Sequence, residues 1–94
     1  FAVVDCINDA IQDKVKISFK IREFDGNKKK VLRNGGEVYV ISPYAMYWNE
    51  DFYYVVGWSD KHDNISAFRV ERMVEVTPLK EKAVRKSEGF NVSV

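Results

Sequence analysis

The hydrophobic pattern of the chain changes its period at Lys14, and this change constrains the fold more than any other feature of the sequence. In residues 1–12, apolar side chains recur at spacings of three and four, which is typical of one face of an amphipathic helix. In residues 15–22, apolar and polar side chains alternate, as in a β-strand with one buried face. The sequence therefore predicts a short helix that leads directly into a strand.

Turn residues divide the remaining chain into short segments. Gly and Asn accept positive φ at low energetic cost, which predicts a hairpin at residues 25–27 and a break at residues 34–36. Pro43 predicts a bend, residues 49–51 a polar turn, and Pro78 the end of the last strand. One helix and about five short strands favour a mainly β fold, a small barrel or an open roll, over a parallel α/β sheet.

Composition limits the possible classes of protein. With 94 residues the chain is long enough for one domain, and its net charge of +1 means that a binding site for an anion must be a local feature. The lone Cys6 cannot form an internal disulfide, and neither a secretory segment nor a membrane-spanning run is present. We therefore expect a cytoplasmic protein without a membrane partner. Because the chain opens with Phe1 and ends at Val94 in a strand-like pattern, we expect a module cut from a longer protein.

Residues suited to catalysis are scarce. The single histidine, His62, lies in a polar loop beside Asp60 and Asp63, but a metal site needs three or four converging ligands. Cys6 has no histidine at a motif distance, and no serine lies in a nucleophile elbow. We therefore expect no enzyme, no cofactor and no metal, and we interpret His62 as a solvated loop residue.

Two arginines three residues apart, Arg69 and Arg72, are candidates for binding an anion. Residues at this spacing face opposite sides of a continuous strand, so the two guanidinium groups converge only if the chain bends near Glu71. The alternative is a pair of ordinary ion pairs with nearby carboxylates. From the residues alone, the ion pairs are the favoured interpretation.

The clearest predicted strand, residues 52–58, is apolar on both faces. One face carries Phe52, Tyr54, Val56 and Trp58, and the other carries Tyr53, Val55 and Gly57. A strand of this kind is usually buried, yet Tyr and Trp keep a polar tip. We interpret one face as core and part of the other as a groove that lines a binding site.

A run of lysines, Lys28, Lys29 and Lys30, forms a second candidate for anions together with Arg33. The alternative is a solvated hairpin edge, where lysines discourage the association of one sheet with another. The sequence favours the hairpin edge.

Three motifs of the chain together resemble the WYL domain of bacterial helix-turn-helix transcriptional regulators. They are VISPYAM at residues 40–46, FYYVVGW at residues 52–58 and FRVERM at residues 68–73. The upstream stretch at residues 9–21 resembles the opening helix and first strand of that family. Of the Trp-Tyr-Leu triplet that names the family, only the central Tyr is retained, at Tyr54.

The resemblance implies a five-stranded Sm-like (SH3-type) barrel or roll with an N-terminal α-helix. It implies a sensor domain over residues 1–79, followed over residues 80–94 by a linker and the start of a truncated C-terminal extension. In such regulators a DNA-binding helix-turn-helix domain precedes the sensor domain. The implied effector is nucleic acid or a nucleotide-like anion.

Matching positions in the motifs imply a set of ligand-binding residues, namely Ser42, Tyr44, Tyr54, Arg69 and Arg72. Trp58 and His62 are weaker candidates. Many members carry a further basic residue just before Phe68, where this chain has Ile65-Ser66-Ala67.

The resulting hypothesis is a ligand-sensing domain in which arginines clamp phosphate oxygens and tyrosines stack on a base, so that occupancy controls an attached DNA-binding domain. The alternative is a protein-interaction module that binds no small ligand and forms a homodimer. A third hypothesis is direct RNA binding that depends on Lys28, Lys29 and Lys30, with a steep dependence on salt.

Overall fold

The computed structural model describes residues 2–84, which form one helix and six strands. The helix, α1, spans Ala2–Asp13. The strands are β1 (Val15–Phe24), β2 (Lys30–Leu32), β3 (Tyr39–Asn49), β4 (Phe52–Ser59), β5 (Asn64–Arg69) and β6 (Met73–Lys82). The predicted mainly β fold with an N-terminal helix is confirmed. The described strands number six rather than five because Lys30–Leu32 forms a short strand of its own.

The strands pair in the order β2-β1-β3-β4-β5, and β6 returns to pair with β1. Every pairing is antiparallel. Ile17 and Ser18 of β1 pair with β3 on one side and with β6 on the other, so the first and last strands meet and the sheet curls into a half-barrel. The structure therefore agrees with a small barrel or roll.

Helix α1 and the concave side of the sheet enclose the core. Ile7 and Ala10 of the helix are buried, as their spacing predicts. Phe19, Tyr39 and Phe68 form an aromatic cluster from three strands, with ring centres 5.3 to 6.2 Å apart. Lys14 ends the helix in the left-handed region at φ 58°, which turns the chain at once into β1.

The bend predicted at Pro43 is a shift of register inside a continuous strand. The pairing of β3 with β4 shifts between Pro43 and Ala45. Opposite the shift lies Gly57, where an added Cβ would lie 2.2 Å from the carbonyl oxygen of Ser42 and 2.9 Å from Cα of Pro43. Only glycine leaves room for the β3 backbone at this point, so Gly57 fixes how closely the two strands approach.

The prediction that Pro78 ends the last strand is wrong, because β6 continues to Lys82. Among the described strands β6 pairs with β1 alone, and this pairing contains two shifts of register. A proline is tolerated on such an irregular edge strand because no second neighbour needs its missing N–H. Residues 80–82, predicted as exposed linker, therefore belong to the sheet, and residues 85–94 lie outside the described residues.

A buried lysine joins three parts of the fold. Lys16 of β1 is 6% exposed, and its ammonium lies 2.9 Å from carboxylate oxygens of both Asp60 and Glu81. Asp60 belongs to the β4–β5 turn and Glu81 to β6. The charge is thus paired twice at the point where it leaves water, as buried charges require.

No helix in residues 2–84 combines the length and the apolar character needed to cross a membrane.

Candidate functional site

A 3-10 turn, Val70–Arg72, provides the bend on which convergence of the two arginines depends. It joins β5 to β6, and Arg22 fastens it to β1 by donating a hydrogen bond from Nη2 to the carbonyl oxygen of Glu71 at 3.0 Å. The turn changes the phase of the chain, so Arg69 and Arg72 line the same cavity. Two arginines that would face opposite sides of a straight strand therefore line one cavity.

The cavity has a volume of about 130 Å³ and contains a third arginine, Arg33. Arg33 belongs to the 3-10 turn Arg33–Gly35, which follows β2. The remaining lining residues are apolar, namely Ile21, Ala67, Phe68 and Met73. Among the described residues its lining therefore carries three positive charges and no carboxylate.

The sequence placed Arg33 with the lysine run and not with Arg69 and Arg72. Its basic character was the available signal, but the convergence depends on the pairing of β1 with β6, in which Ile21 lies opposite Met73, and local sequence does not reveal this pairing. The neighbouring Lys28, Lys29 and Lys30 are exposed and absent from the cavity lining.

Two of the three arginines already have carboxylate partners outside the residues that line the cavity. Nε of Arg33 lies 3.2 Å from an oxygen of Glu23, and Nη2 of Arg69 lies 2.7 Å from an oxygen of Glu71. Arg72 makes no side-chain hydrogen bond or ion pair within residues 2–84. The Nε of Arg69 is buried and also lacks a hydrogen-bond partner in that part of the chain.

An aromatic row leads away from the cavity on the outer face of β3 and β4. The guanidinium carbon of Arg69 lies 3.8 Å from the centre of the Phe52 ring. Tyr54 is the direct cross-strand partner of Arg69 and shares its face of the sheet. The Tyr54 ring stacks on that of Tyr47, with centres 5.3 Å apart and planes 12° from parallel. Tyr47 is 43% exposed, so the row ends in a ring open to solvent.

Ser42 and Tyr44 serve a different part of the structure from the arginines. The Oγ of Ser42, fully buried, accepts a hydrogen bond of 2.8 Å from the backbone N–H of Val84. The Tyr44 hydroxyl donates a hydrogen bond to the carbonyl oxygen of the same residue. These two side chains hold the backbone that follows β6, and neither lines the arginine cavity.

The two weaker candidates, Trp58 and His62, also lie apart from the cavity lining. Trp58 is paired with Ser42 across β3 and β4. His62 lies in the β4–β5 turn, and its Nδ1 is 2.9 Å from the Oγ of Ser59 at the end of β4. The structure thus brings together Arg69, Arg72 and Tyr54 and sets the other candidates elsewhere.

Groups suited to other chemistry are few in residues 2–84. No three His, Cys, Asp or Glu side chains in this part of the chain are arranged to hold a metal ion. Burial, and then the charge of Asp9, raise the pKa of the Cys6 thiol, which keeps it protonated and weakly nucleophilic.

Comparison with known proteins identifies the family. The model of the WYL domain matches residues 2–78 of the chain. Among solved structures, proteasome accessory factor B/C (PafBC) of Arthrobacter aurescens is similar to this chain with a TM-score of 0.71 and 13% identity. The likeness, one of fold, covers 87% of this chain and 12% of that one. No curated protein matches the chain. On the family model and the motifs of β3, β4 and β5, the chain belongs to the WYL domain family.

Proposed function

We propose that this domain is the ligand-sensing regulatory part of a transcriptional regulator and that it binds a nucleic-acid or nucleotide-like anion. The observation that carries the proposal is the cavity whose lining, in the described part of the chain, contains three arginines and no carboxylate. Guanidinium groups present a planar fork of donors that matches phosphate oxygens, and an apolar lining strengthens their attraction for an anion.

The volume of the cavity limits which part of a nucleotide-like ligand it can enclose. A volume of about 130 Å³ is well below the roughly 300 to 1,000 Å³ of pockets that enclose small molecules. One phosphate group enters it, whereas a nucleoside remains outside. Tyr54 and Tyr47 lie next to the cavity through Arg69, and their rings are the surface on which a base stacks.

Binding requires an exchange of partners at Arg69. Its ion pair with Glu71 is partly exposed, and such pairs contribute roughly 0 to 1 kcal/mol. A phosphate therefore displaces the Glu71 carboxylate at little cost and also meets Arg72, which needs no release within the described chain. The role is binding rather than catalysis.

Regulation follows from the position of these arginines around the Val70–Arg72 turn. This turn leads into β6, whose continuation is held by Ser42 and Tyr44. An effector that binds one arrangement of these elements more tightly than another shifts the conformational equilibrium toward the arrangement it binds. In a regulator with an attached DNA-binding domain, this shift changes the conformation of that domain as well. We propose this route from the effector to the DNA.

The test is fluorescence anisotropy of labelled single-stranded DNA, RNA and cyclic nucleotides. The wild type is compared with an Arg69→Gln/Arg72→Gln variant, which removes both charges but keeps polar side chains, and with a Lys29→Ala/Lys30→Ala variant, which loses the same charge on the hairpin. We expect the arginine variant to lose affinity at least about tenfold and the lysine variant to retain it. Equal affinity of the wild type and the arginine variant for every ligand would contradict phosphate binding by Arg69 and Arg72.

The same experiment separates direct RNA binding. That hypothesis predicts the opposite pattern, in which the Lys29→Ala/Lys30→Ala variant loses RNA affinity and the salt slope becomes shallower. If only the lysine variant loses RNA affinity, RNA binds to the hairpin that carries Lys29 and Lys30.

A second candidate function, homodimerisation, is favoured by exposed rings at the end of the β3–β4 hairpin. Trp48 is 61% and Tyr53 40% exposed, and their ring centres lie 5.1 Å apart. They flank a groove of about 450 Å³ that Ala2 and Val3 of α1 also line. Sedimentation over a range of concentrations tests it: a dimer that Trp48→Ser dissociates supports this function.

A further inference from the structure

We infer that Arg33 is the third arm of the anion site and that the site is built for a terminal phosphate, the phosphomonoester at the end of a nucleic-acid strand or nucleotide. The inference rests on the proposed function, because it concerns the same cavity. It adds a residue outside the motif-derived set and narrows the class of ligand.

The geometry of the cavity supports three separate contacts. Arg33 comes from the turn after β2, Arg69 from the end of β5 and Arg72 from the turn before β6. Arginines from three elements thus line one volume of about 130 Å³. A phosphomonoester has three terminal oxygens that accept hydrogen bonds, whereas an internal phosphodiester has two of its four oxygens in ester bonds. Three guanidinium groups therefore match the end of a strand better than its interior.

The charge of the cavity lining also favours a terminal phosphate over an internal one. Within residues 2–84 the cavity lining contributes three positive charges and no negative one, and the charges of Arg33 and Arg69 become available once a ligand displaces the carboxylates of Glu23 and Glu71. A phosphomonoester carries about −1.5 to −2 at neutral pH, and each internal phosphodiester of a strand carries a single charge. The monoester thus compensates more of the positive charge that the arginines bring together.

The local backbone fixes the position of Arg33. Asn34 adopts the left-handed region at φ 53°, and the N–H of Gly36, at φ 93°, donates to the carbonyl oxygen of Arg33. These turns fold the chain back after β2 and place Arg33 in the cavity lining, where its Nε pairs with the Glu23 carboxylate until an anion displaces it. Arg33 is therefore placed before a ligand arrives, which lowers the entropic cost of binding.

The test compares short oligothymidylates that carry a phosphate at the 5′ end, at the 3′ end or at neither end, with thymidine 5′-monophosphate and inorganic phosphate as competitors. Binding to the full chain is measured by isothermal titration calorimetry. We expect the wild type to bind one phosphorylated end at least about tenfold more tightly than the hydroxyl-ended strand. Which end is preferred, and whether the mononucleotide competes, distinguishes a strand end from a free nucleotide.

Variants assign the preference to Arg33. Arg33→Gln is expected to abolish the preference for a phosphorylated end while hydroxyl-ended strands still bind through Arg69 and Arg72. Arg33→Lys keeps the positive charge but lacks the planar fork of guanidinium donors. This variant is expected to retain part of the preference for a phosphorylated end. Lys29→Gln, with the same loss of charge outside the cavity, is expected to retain all of it.

Two outcomes overturn the inference in different ways. If phosphorylated and hydroxyl-ended strands bind equally while Arg69→Gln/Arg72→Gln still abolishes binding, the proposed function stands and the terminal-phosphate inference falls. If none of the probes binds, whether phosphorylated or hydroxyl-ended, both fall. Circular dichroism of each variant shows whether a loss reflects the site or the fold.

Discussion

The guanidinium carbon of Arg69 lies 3.8 Å from the centre of the Phe52 ring. This contact joins the two halves of the proposed site, because Arg69 lines the cavity and Phe52 belongs to the same outer face as Tyr54. An aromatic ring under an arginine both attracts the cation and limits its rotamers. The position of Arg69 is therefore set by β4 as well as by its own strand.

Replacing Phe52 by leucine tests this role. Leucine keeps apolar volume but removes the cation–π attraction, which contributes about 1 kcal/mol, so we expect roughly fivefold weaker binding of single-stranded DNA. Fluorescence anisotropy measures the change. Phe24→Leu is the matched control, since Phe24 is 60% exposed at the end of β1 and outside the cavity lining. Unchanged affinity of Phe52→Leu would show that the ring does not position Arg69.

Glu23 competes with an anion for Arg33, because its carboxylate lies 3.2 Å from the arginine Nε. Glu23→Gln removes that negative charge and leaves Arg33 in place. We expect affinity for phosphorylated strands to rise about two- to fivefold, as befits a partly exposed pair. Asp13→Asn makes the same change in net charge outside the cavity lining and is expected to change affinity less. A decrease in affinity on Glu23→Gln would mean that the carboxylate orients Arg33 rather than competing for it.

Sequence periodicity predicted the helix and most strands because each of these depends on neighbouring residues. It also showed that Arg69 and Arg72 converge only if the chain bends near Glu71, and the Val70–Arg72 turn provides this bend. It did not group Arg33 with them, because this convergence depends on strands that pair far along the chain. The contact of Ser42 with Val84 spans 42 residues and is equally invisible to local patterns.

The prediction that the last strand ends at Pro78 was wrong for a related reason. Proline is disfavoured in a strand with neighbours on both sides, but the cost vanishes where one edge is unpaired. Pro78 lies in such a strand, and only the pairing of β6 with β1 reveals it.

Gly57 is expected to tolerate no side chain. In Gly57→Ala, the new Cβ would lie 2.2 Å from the carbonyl oxygen of Ser42, a backbone atom that cannot rotate away. The strands must separate, and we expect the free energy of unfolding to fall by about 1–3 kcal/mol or more. Urea denaturation measures it. Gly26→Ala is the control, because an added Cβ there meets nothing within 4 Å. Equal stability of the two variants would contradict a close approach of β3 and β4.

Ser42 is expected to stabilise the position of the chain that follows β6. Its Oγ accepts the hydrogen bond from the N–H of Val84, so Ser42→Ala leaves that N–H without its acceptor. We expect a stability loss of about 1–3 kcal/mol and faster hydrogen exchange at the Val84 amide. Ser66→Ala is the comparison, since the hydroxyl of Ser66 bonds to Asn64 in an exposed position. Unchanged exchange at Val84 in Ser42→Ala would mean that other contacts hold the segment.

The Lys16 cluster predicts a stability that depends on alkaline pH. Hydrogen bonds to Glu81 and Asp60 raise the pKa of Lys16 above its ordinary value of 10.5, despite the opposing effect of burial. A lysine whose pKa is higher in the folded state stabilises that state fully below the unfolded pKa. This stabilisation is lost as the pH rises through the folded pKa. We therefore expect the free energy of unfolding to fall once the pH exceeds 10.5.

Other lysines titrate in the same range, so the measurement is a difference between variants. Urea denaturation across this range compares the wild type with Lys16→Met, which is expected to show a shallower decline because the perturbed group is gone. Lys80→Met removes an exposed lysine of β6 and is expected to decline like the wild type. Parallel curves for Lys16→Met and the wild type would show that the pKa of Lys16 is the same folded and unfolded. The paired carboxylates would then contribute nothing that depends on its charge.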